Sequence, residues 1–357
     1  MIREFNIDND RIELIKLLQK AFQSCNINFL IGSGCSFPSL QILGSIEQEI
    51  DNMYKKGKDT EADKKLVSFL KPFVDNTKKL IEDHLEDNDK KTLKNYQDFI
   101  KAIDFILFER KCHILHKQAT IFSTNYDMFI EKAIEPFSDS LVLNDGFCRN
   151  PSLKNTFGFS AKSFFNTVSN TGYLYKYQVE IPTVNLIKLH GSLNWKICEG
   201  NVSQSLEHIG NDNLKGNKDF IEQFALVLPR EDKFRETTIN QIYYDLLRIY
   251  SNELDKENTL LIAEGFSFAD KHIFNITKRA LKNPTLLLVI FCYKEDGLQG
   301  FRDKFSSSNN VVIVFSKRAK IEFCNFIELL SEVLPKREEK PIYTVRIEET
   351  QKVPENE

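Results

Sequence analysis

Four short segments of the chain set small polar residues where chemistry could take place. Gly32-Ser33-Gly34-Cys35-Ser36 follows an apolar run. Its glycines would let backbone amides approach a phosphate closely, with the N-terminus of a following helix favouring the negative charge. A tight turn between strand and helix also needs glycine for conformational reasons alone. The segment lacks the third glycine of a dehydrogenase fingerprint and the Lys-Ser/Thr of a nucleoside triphosphate loop, which argues against hydride and phosphoryl transfer.

Ser123-Thr124-Asn125-Tyr126-Asp127 is the second segment. In an extended chain Asn125 and Asp127 share one side, and Tyr126 points the other way into packing. Asparagine can hold a hydroxyl or a water without charge, and aspartate can accept from an amide. The same residues could simply form an Asx-turn into the next helix. In the third segment, His190-Gly191-Ser192-Leu193-Asn194, a histidine ends an apolar run. There it could act as a general base near neutral pH, or cap a loop carbonyl. In Gly265-Phe266-Ser267, Ser267 could cap the helix that follows, with Asp270 adding favourable charge at its start.

Strands must hold these segments. Apolar runs at 28–31, 119–124 and 184–189 end at the first three. Beyond them, strands at 226–228, 259–263, 286–293 and 311–315 alternate with helices at 242–254, 270–281, 297–305 and 321–334. Apolar strands separated by helices predict a doubly wound parallel sheet of the α/β, Rossmann-like class. Ligands of such sheets lie beyond the carboxyl ends of the strands, where strand order reverses. Four polar strand ends therefore predict one shared pocket.

Around that sheet, 11–24 reads as an amphipathic helix, and Pro38 suits the first turn of a helix running to about 54. Residues 55–117 read as a charged helical insertion on one side of the sheet, with a solvated face. An Asn-, Ser- and Gly-rich stretch at 141–182 reads as a small irregular module, and 199–217 as a loop or flap. One catalytic domain over 1–335 and a charged tail at 336–357 complete the expected organisation.

The chain has 357 residues, 41% hydrophobic and 28% charged, with a net charge of −3. That balance is ordinary for a globular protein and gives no bulk attraction to nucleic acid or an acidic membrane. The opening residues lack the apolar core of a signal peptide, and no uncharged apolar run is long enough to span a bilayer. The seven cysteines are scattered, without a CxxC pair. This argues against a disulfide framework and a four-cysteine zinc site, and for a reducing cytoplasm.

Taken in order, the four segments resemble the sirtuin-like family, and specifically its bacterial antiphage-defence branch. The 32–36 string is similar to the sirtuin Gly-Ala-Gly-x-Ser loop, and 123–127 to its Thr-Gln-Asn-Ile-Asp segment. Leu189-His190-Gly191-Ser192 is similar to the string with the catalytic histidine, and Gly265-Phe266-Ser267 to the Gly-Thr-Ser turn. The resemblance implies NAD as the substrate, with Asn125 and His190 catalytic. Asn125 would hold the nicotinamide ribose and its water, and Asp127 the carboxamide. Gly32, Ser33, Gly34, Ser36, Thr124, Gly265 and Ser267 would complete the dinucleotide site. No metal is implied, since the paired CxxC motifs of deacylating sirtuins are missing. NAD glycohydrolysis is the leading expectation; protein deacylation and a non-catalytic NAD or ADP-ribose sensor are the alternatives. The resemblance further implies a homo-oligomer and a HerA-type ATPase or Argonaute-like partner.

Overall fold

Short apolar strands with no polar face decide the architecture, because a strand that is greasy on both sides must be covered on both sides. The computed structural model describes residues 2–42, 46–112, 114–149, 157–172, 178–198, 201–206, 224–227 and 237–334. In chain order the first half holds β1 (Arg3–Asn6), α1 (Arg11–Ser24), β2 (Asn26–Ile31), α2 (Ile46–Lys55), α3 (Asp59–Ile81), α4 (Asp87–Phe108), β3 (Gln118–Ser123) and α5 (Phe129–Ile134). Six short or medium strands follow: β4 (Val142–Asn144), β5 (Phe147–Arg149), β6 (Phe157–Phe159), β7 (Ser169–Thr171), β8 (Gln178–Glu180) and β9 (Thr183–Lys188). Then come β10 (Gly191–Cys198), β11 (Asn201–Gln204), β12 (Phe224–Leu226), α6 (Thr237–Asp255), β13 (Thr259–Glu264) and α7 (Lys271–Ala280). The chain continues through β14 (Leu286–Phe291), α8 (Leu298–Phe305), β15 (Val311–Phe315) and α9 (Phe323–Val333).

Eight strands form one parallel sheet in the order β1-β15-β14-β13-β2-β3-β9-β4. This is the α/β, Rossmann-like sheet that the sequence predicts. Alternate residues of each strand feed two cores: Phe29 and Ile31 pack with α1, α3, α4 and α9, and Leu30 packs with α6, α7 and α8. From β2 the chain moves outward through β3 to β9, then returns to the other side of β2 as β13. Strand order therefore reverses between β2 and β13, where such sheets take ligands. The strand ends lie in one row: Glu264 is opposite Ile31, Ile31 opposite Ser123, and Ser123 opposite Lys188. Each polar segment begins at that row or just past it.

Several local expectations need correction. Pro38 does not open a helix: a single 3-10 turn, Ser33–Ser36, is followed by a cis Phe37–Pro38 bond, and α2 begins only at Ile46. The strand expected at 226–228 is Phe224–Leu226, and it does not join the parallel sheet. It pairs antiparallel with β10 in a second sheet ordered β12-β10-β11-β6-β5. Within the expected flap, Asn201–Gln204 is a strand paired with β10; residues 199–200 and 207–217 lie outside the described residues, as does the tail at 336–357. The described parts of the 141–182 module are short strands and one 3-10 turn, and β4 joins the edge of the main sheet. β1 went unrecognised in the sequence and pairs with β15 at the opposite edge.

The helices of the 55–117 segment bury Leu66, Leu70, Phe73, Tyr96, Phe99 and Ile103 in the core of one sheet face. Among the described residues, no helix is long and apolar enough to cross a membrane.

Candidate active site

Two turns meet backbone to backbone at the reversal point. Gly32 is extended, with φ −106° and ψ −179°, and neither it nor Gly34 has positive φ. Their missing side chains matter for another reason: a Cβ on Gly32 would lie 2.3 Å from the Gly265 carbonyl oxygen, and one on Gly34 would lie 2.8 Å from Gly265 Cα. Gly265 itself sits at φ +64°, a conformation that only glycine adopts cheaply. The Gly32 amide donates to the Glu264 carbonyl (3.0 Å), Gly34 to Gly265 (3.1 Å) and Cys35 to Gly32 (3.1 Å). Three amides that a phosphate loop would present are thus engaged within the protein, and no α-helix starts behind them.

Beneath this contact lies a closed polar network. Ser36 Oγ donates to Asp127 Oδ2 (2.7 Å) and lies 3.0 Å from the Tyr96 hydroxyl. Asn125 Nδ2 donates to the Gly32 carbonyl (3.0 Å) and to Ser36 Oγ (3.1 Å). Asp127 Oδ1 accepts from the Phe129 amide at 3.3 Å, so the Asx-turn exists beside the network. Tyr126 points away as alternation requires, and its hydroxyl donates to the Val227 carbonyl at 2.7 Å. Burial, and then the charge of Asp127, push the Tyr96 phenol well above its ordinary range, so it stays protonated. Lys188, 2% exposed, steadies the segment from below. Its ammonium donates to the Asn125 carbonyl (3.3 Å) and the Asp127 carbonyl, and lies 3.4 Å from Glu131 Oε1.

His190 occupies the next strand end. Its Nε2 lies 2.9 Å from Asp270 Oδ2, while Asp270 Oδ1 accepts the His272 and Ile273 amides at 2.8 and 3.0 Å. Asp270, rather than Ser267, is therefore the cap of α7. Ser267 is exposed, and its carbonyl accepts from Lys304 Nζ at 2.6 Å. Burial raises the Asp270 carboxyl, but the His190 hydrogen bond, the His190 charge and the two amides outweigh it and hold it down to about 2. Glu264 presents the opposite case: its buried Oε2 has no partner among the described residues, and burial holds its carboxyl well above the usual range.

A cavity of about 940 Å³ runs over these strand ends. Ser33, Gly34, Thr124, His190, Gly265 and Ser267 line it, together with Glu264 and Asp270. Gly32, Ser36, Asn125 and Asp127 do not; the last three are 2%, 3% and 1% exposed, sealed behind the turn. Asn125 Oδ1, His190 Nδ1 and Glu264 Oε2 are buried with no hydrogen-bond partner among the described residues. Buried polar atoms are rarely left so, and their clustering at one row of strand ends fits a polar ligand. No group of three His, Cys, Asp or Glu suited to a metal occurs among the described residues.

The sequence missed Tyr96, Glu264, Lys188 and the pairing of Asp270 with His190. Asp270 and His190 are 80 positions apart, and nothing local marks the pair.

A cavity at the reversal point of a parallel sheet, fringed by glycine turns and a His–Asp pair, is the arrangement of an α/β protein of the Rossmann-like class, whose ligands lie at this point. The chain belongs to the SIR2-like family, whose domain model matches residues 119–313, from β3 into β15. Members of this family use NAD. The match contains three of the four strand-end segments, and the 32–36 turn lies outside it. No curated protein matches the chain.

Two predictions follow from this geometry. Gly32→Ala forces a methyl group into the Gly265 backbone and should cost about 2 kcal/mol or more, read as a lower urea midpoint; an unchanged midpoint would contradict the close approach. Asp270→Asn keeps the α7 cap and loses the charge on His190. The folded carboxyl titrates below its unfolded value, so its contribution is complete above about pH 4 and fades as pH falls toward 2. The variant should be about 1–2 kcal/mol less stable than the parent at neutral pH, and the gap should close in acid. A gap that does not depend on pH would refute the charge pairing.

Proposed function

We propose that this protein is an NAD glycohydrolase that cleaves the bond between nicotinamide and ribose. The observation that carries the reading is the His190–Asp270 pair on the cavity wall. In the neutral imidazole, Nε2 donates to the carboxylate and Nδ1 keeps a lone pair. That lone pair is buried and unpartnered, placed to receive a proton from a water or a ribose hydroxyl.

In the reaction the C1′–N1 bond breaks and its electron pair leaves with the pyridinium nitrogen, which becomes neutral nicotinamide. The ribose gains oxocarbenium character. A water oxygen bonds to C1′, and its proton passes to His190 and on to solvent, giving ADP-ribose. Asn125, with a free buried Oδ1, fixes the ribose and the water, and Asp127 holds the carboxamide. Ser33, Gly34, Thr124, Gly265 and Ser267 lie toward the diphosphate and the adenine-side ribose, with Gly32 and Ser36 behind them. Removing bulk water from such a pocket strengthens each of these interactions.

Activity in this reading is gated. Asn125 and Asp127 are sealed under Ser36, so the 32–36 turn must shift before they meet a substrate. An unrestrained NAD hydrolase would exhaust a cofactor its host needs. The proposed role is NAD depletion in antiphage defence by a cytoplasmic homo-oligomer, released by a HerA-type ATPase or Argonaute-like partner.

The test is chromatography of NAD incubated with the protein across a concentration range, alone and with the protein encoded beside it plus foreign DNA. Nicotinamide and ADP-ribose should appear together without any acylated peptide, and faster with the partner. Asn125→Ala and His190→Ala should each slow release by on the order of a hundredfold or more in protein that still folds. Near-normal turnover in either variant removes that residue from the mechanism. Full turnover by the lone protein at every concentration overturns the gating.

A further inference from the structure

Glu264 is not used by this mechanism, yet it stands at the centre of the site. It ends β13 opposite Ile31, at the point where strand order reverses, and its carbonyl receives the Gly32 amide. It is 4% exposed, lines the cavity, and its Oε2 is buried without a partner among the described residues. Leu260 and Ile262 of the same strand enter one core, and Leu261 and Ala263 the other. Alternation therefore turns Glu264 toward the face of Leu260 and Ile262. On that face Phe291, Ile321 and Phe323 also line the cavity and give this lobe aromatic walls, with Lys91 and Asn95 of α4 on the lining too.

A buried carboxyl beside these aromatic walls favours one kind of ligand. A phosphate has lysines elsewhere on the cavity wall, Lys91, Lys294 and Lys304, and gains nothing from a buried acid. An ammonium would need the ionised carboxylate, whose burial costs several kcal/mol. Burial instead raises the Glu264 carboxyl well above its ordinary range and favours its neutral form, which offers an O–H donor beside a carbonyl acceptor. The complementary edge carries an adjacent acceptor and donor on a flat ring that can lie against Phe291 or Phe323. Both ends of NAD have such an edge: the amino group and ring nitrogen of adenine, and the carboxamide of nicotinamide.

We propose that the Glu264 carboxyl pairs edge-on with the adjacent donor and acceptor of a planar heteroaromatic group of the dinucleotide, seated in this aromatic lobe. The proposal rests on the NAD reading and deepens it by assigning a specificity residue that the strand-end motifs leave out.

The test is calorimetric titration of the full chain with NAD, AMP and nicotinamide, which reads binding rather than turnover. Glu264→Leu leaves the ligand edge unpaired and should weaken NAD binding about ten- to a hundredfold. Glu264→Gln keeps an adjacent donor and acceptor and should bind within about threefold of the parent, since it replaces both members of the original pairing. A loss confined to AMP assigns the lobe to adenine; a loss confined to nicotinamide assigns it to the carboxamide. Equal binding by the parent and the leucine variant overturns the inference. So does a glutamine variant as weak as leucine, because the carboxyl would then be read as a charge. Glu264→Ala and the melting temperature of each variant guard against misfolding. If the parent binds none of the three ligands, the NAD reading falls and this assignment falls with it. Intact NAD binding that is indifferent to residue 264 removes only the assignment.

Discussion

The rest of the site hangs on the contact between the backbone of Gly32 and Gly34 and that of Gly265. Two turns that follow neighbouring parallel strands normally diverge, because side chains keep them apart. Here the side chains are missing, and a carbonyl oxygen occupies the space a Cβ would take. The contact closes the crevice between β2 and β13 from above and presses Ser36 onto Asn125 and Asp127. It also spends loop amides on carbonyls of the partner turn. A glycine string that resembles an anion cradle is thus, in this state, a clasp. The same glycines serve both roles, because close approach of any group, whether ligand or peptide, needs an absent side chain.

Two carboxyls show how the surroundings divide acid from base at one row of strand ends. Asp270 gathers a histidine and two helix amides and stays ionised far into acid. Glu264, six residues earlier in the chain, has a buried Oε2 with no partner among the described residues, and burial raises its carboxyl well above the usual range. Their environments push their titrations apart, the pattern by which one pocket offers both a fixed charge and a neutral donor. Lys188 adds a third ionisable group below the floor. Its charge is spent on the carbonyls of Asn125 and Asp127 and on Glu131, so it shapes the segment without facing the cavity.

Much of this was legible in the sequence because it is local. The apolar runs before residues 32, 124, 190 and 265 specify buried parallel strands, and period two sends Tyr126 into packing while Asn125 and Asp127 meet Ser36. What failed to show was non-local or short. The triplet Phe224–Leu226 is apolar enough for any sheet, and only its antiparallel pairing with β10 takes it out of the main one. Pro38 suits a first helical turn, but the chain leaves the 3-10 turn extended at Phe37 before α2 forms. Tyr96 looks like one more apolar residue of a charged helix. Its role arises because α4 lies across the sheet end and delivers a hydroxyl to Ser36. The carboxylate of Asp270 reaches His190 only once the fold brings the end of β9 and the start of α7 together.

The account stands on one arrangement: a dinucleotide lying along the strand ends with its nicotinamide ribose at His190. A crystal structure of His190→Ala soaked with NAD tests it most directly, because on this account the variant should bind NAD without consuming it. The account predicts intact NAD in the cavity, with C1′ beside the space left by the imidazole, the carboxamide at Asp127 and the 32–36 turn lifted from Asn125. NAD bound away from the strand ends, or lying in the cavity with its nicotinamide remote from Asn125 and residue 190, would contradict it.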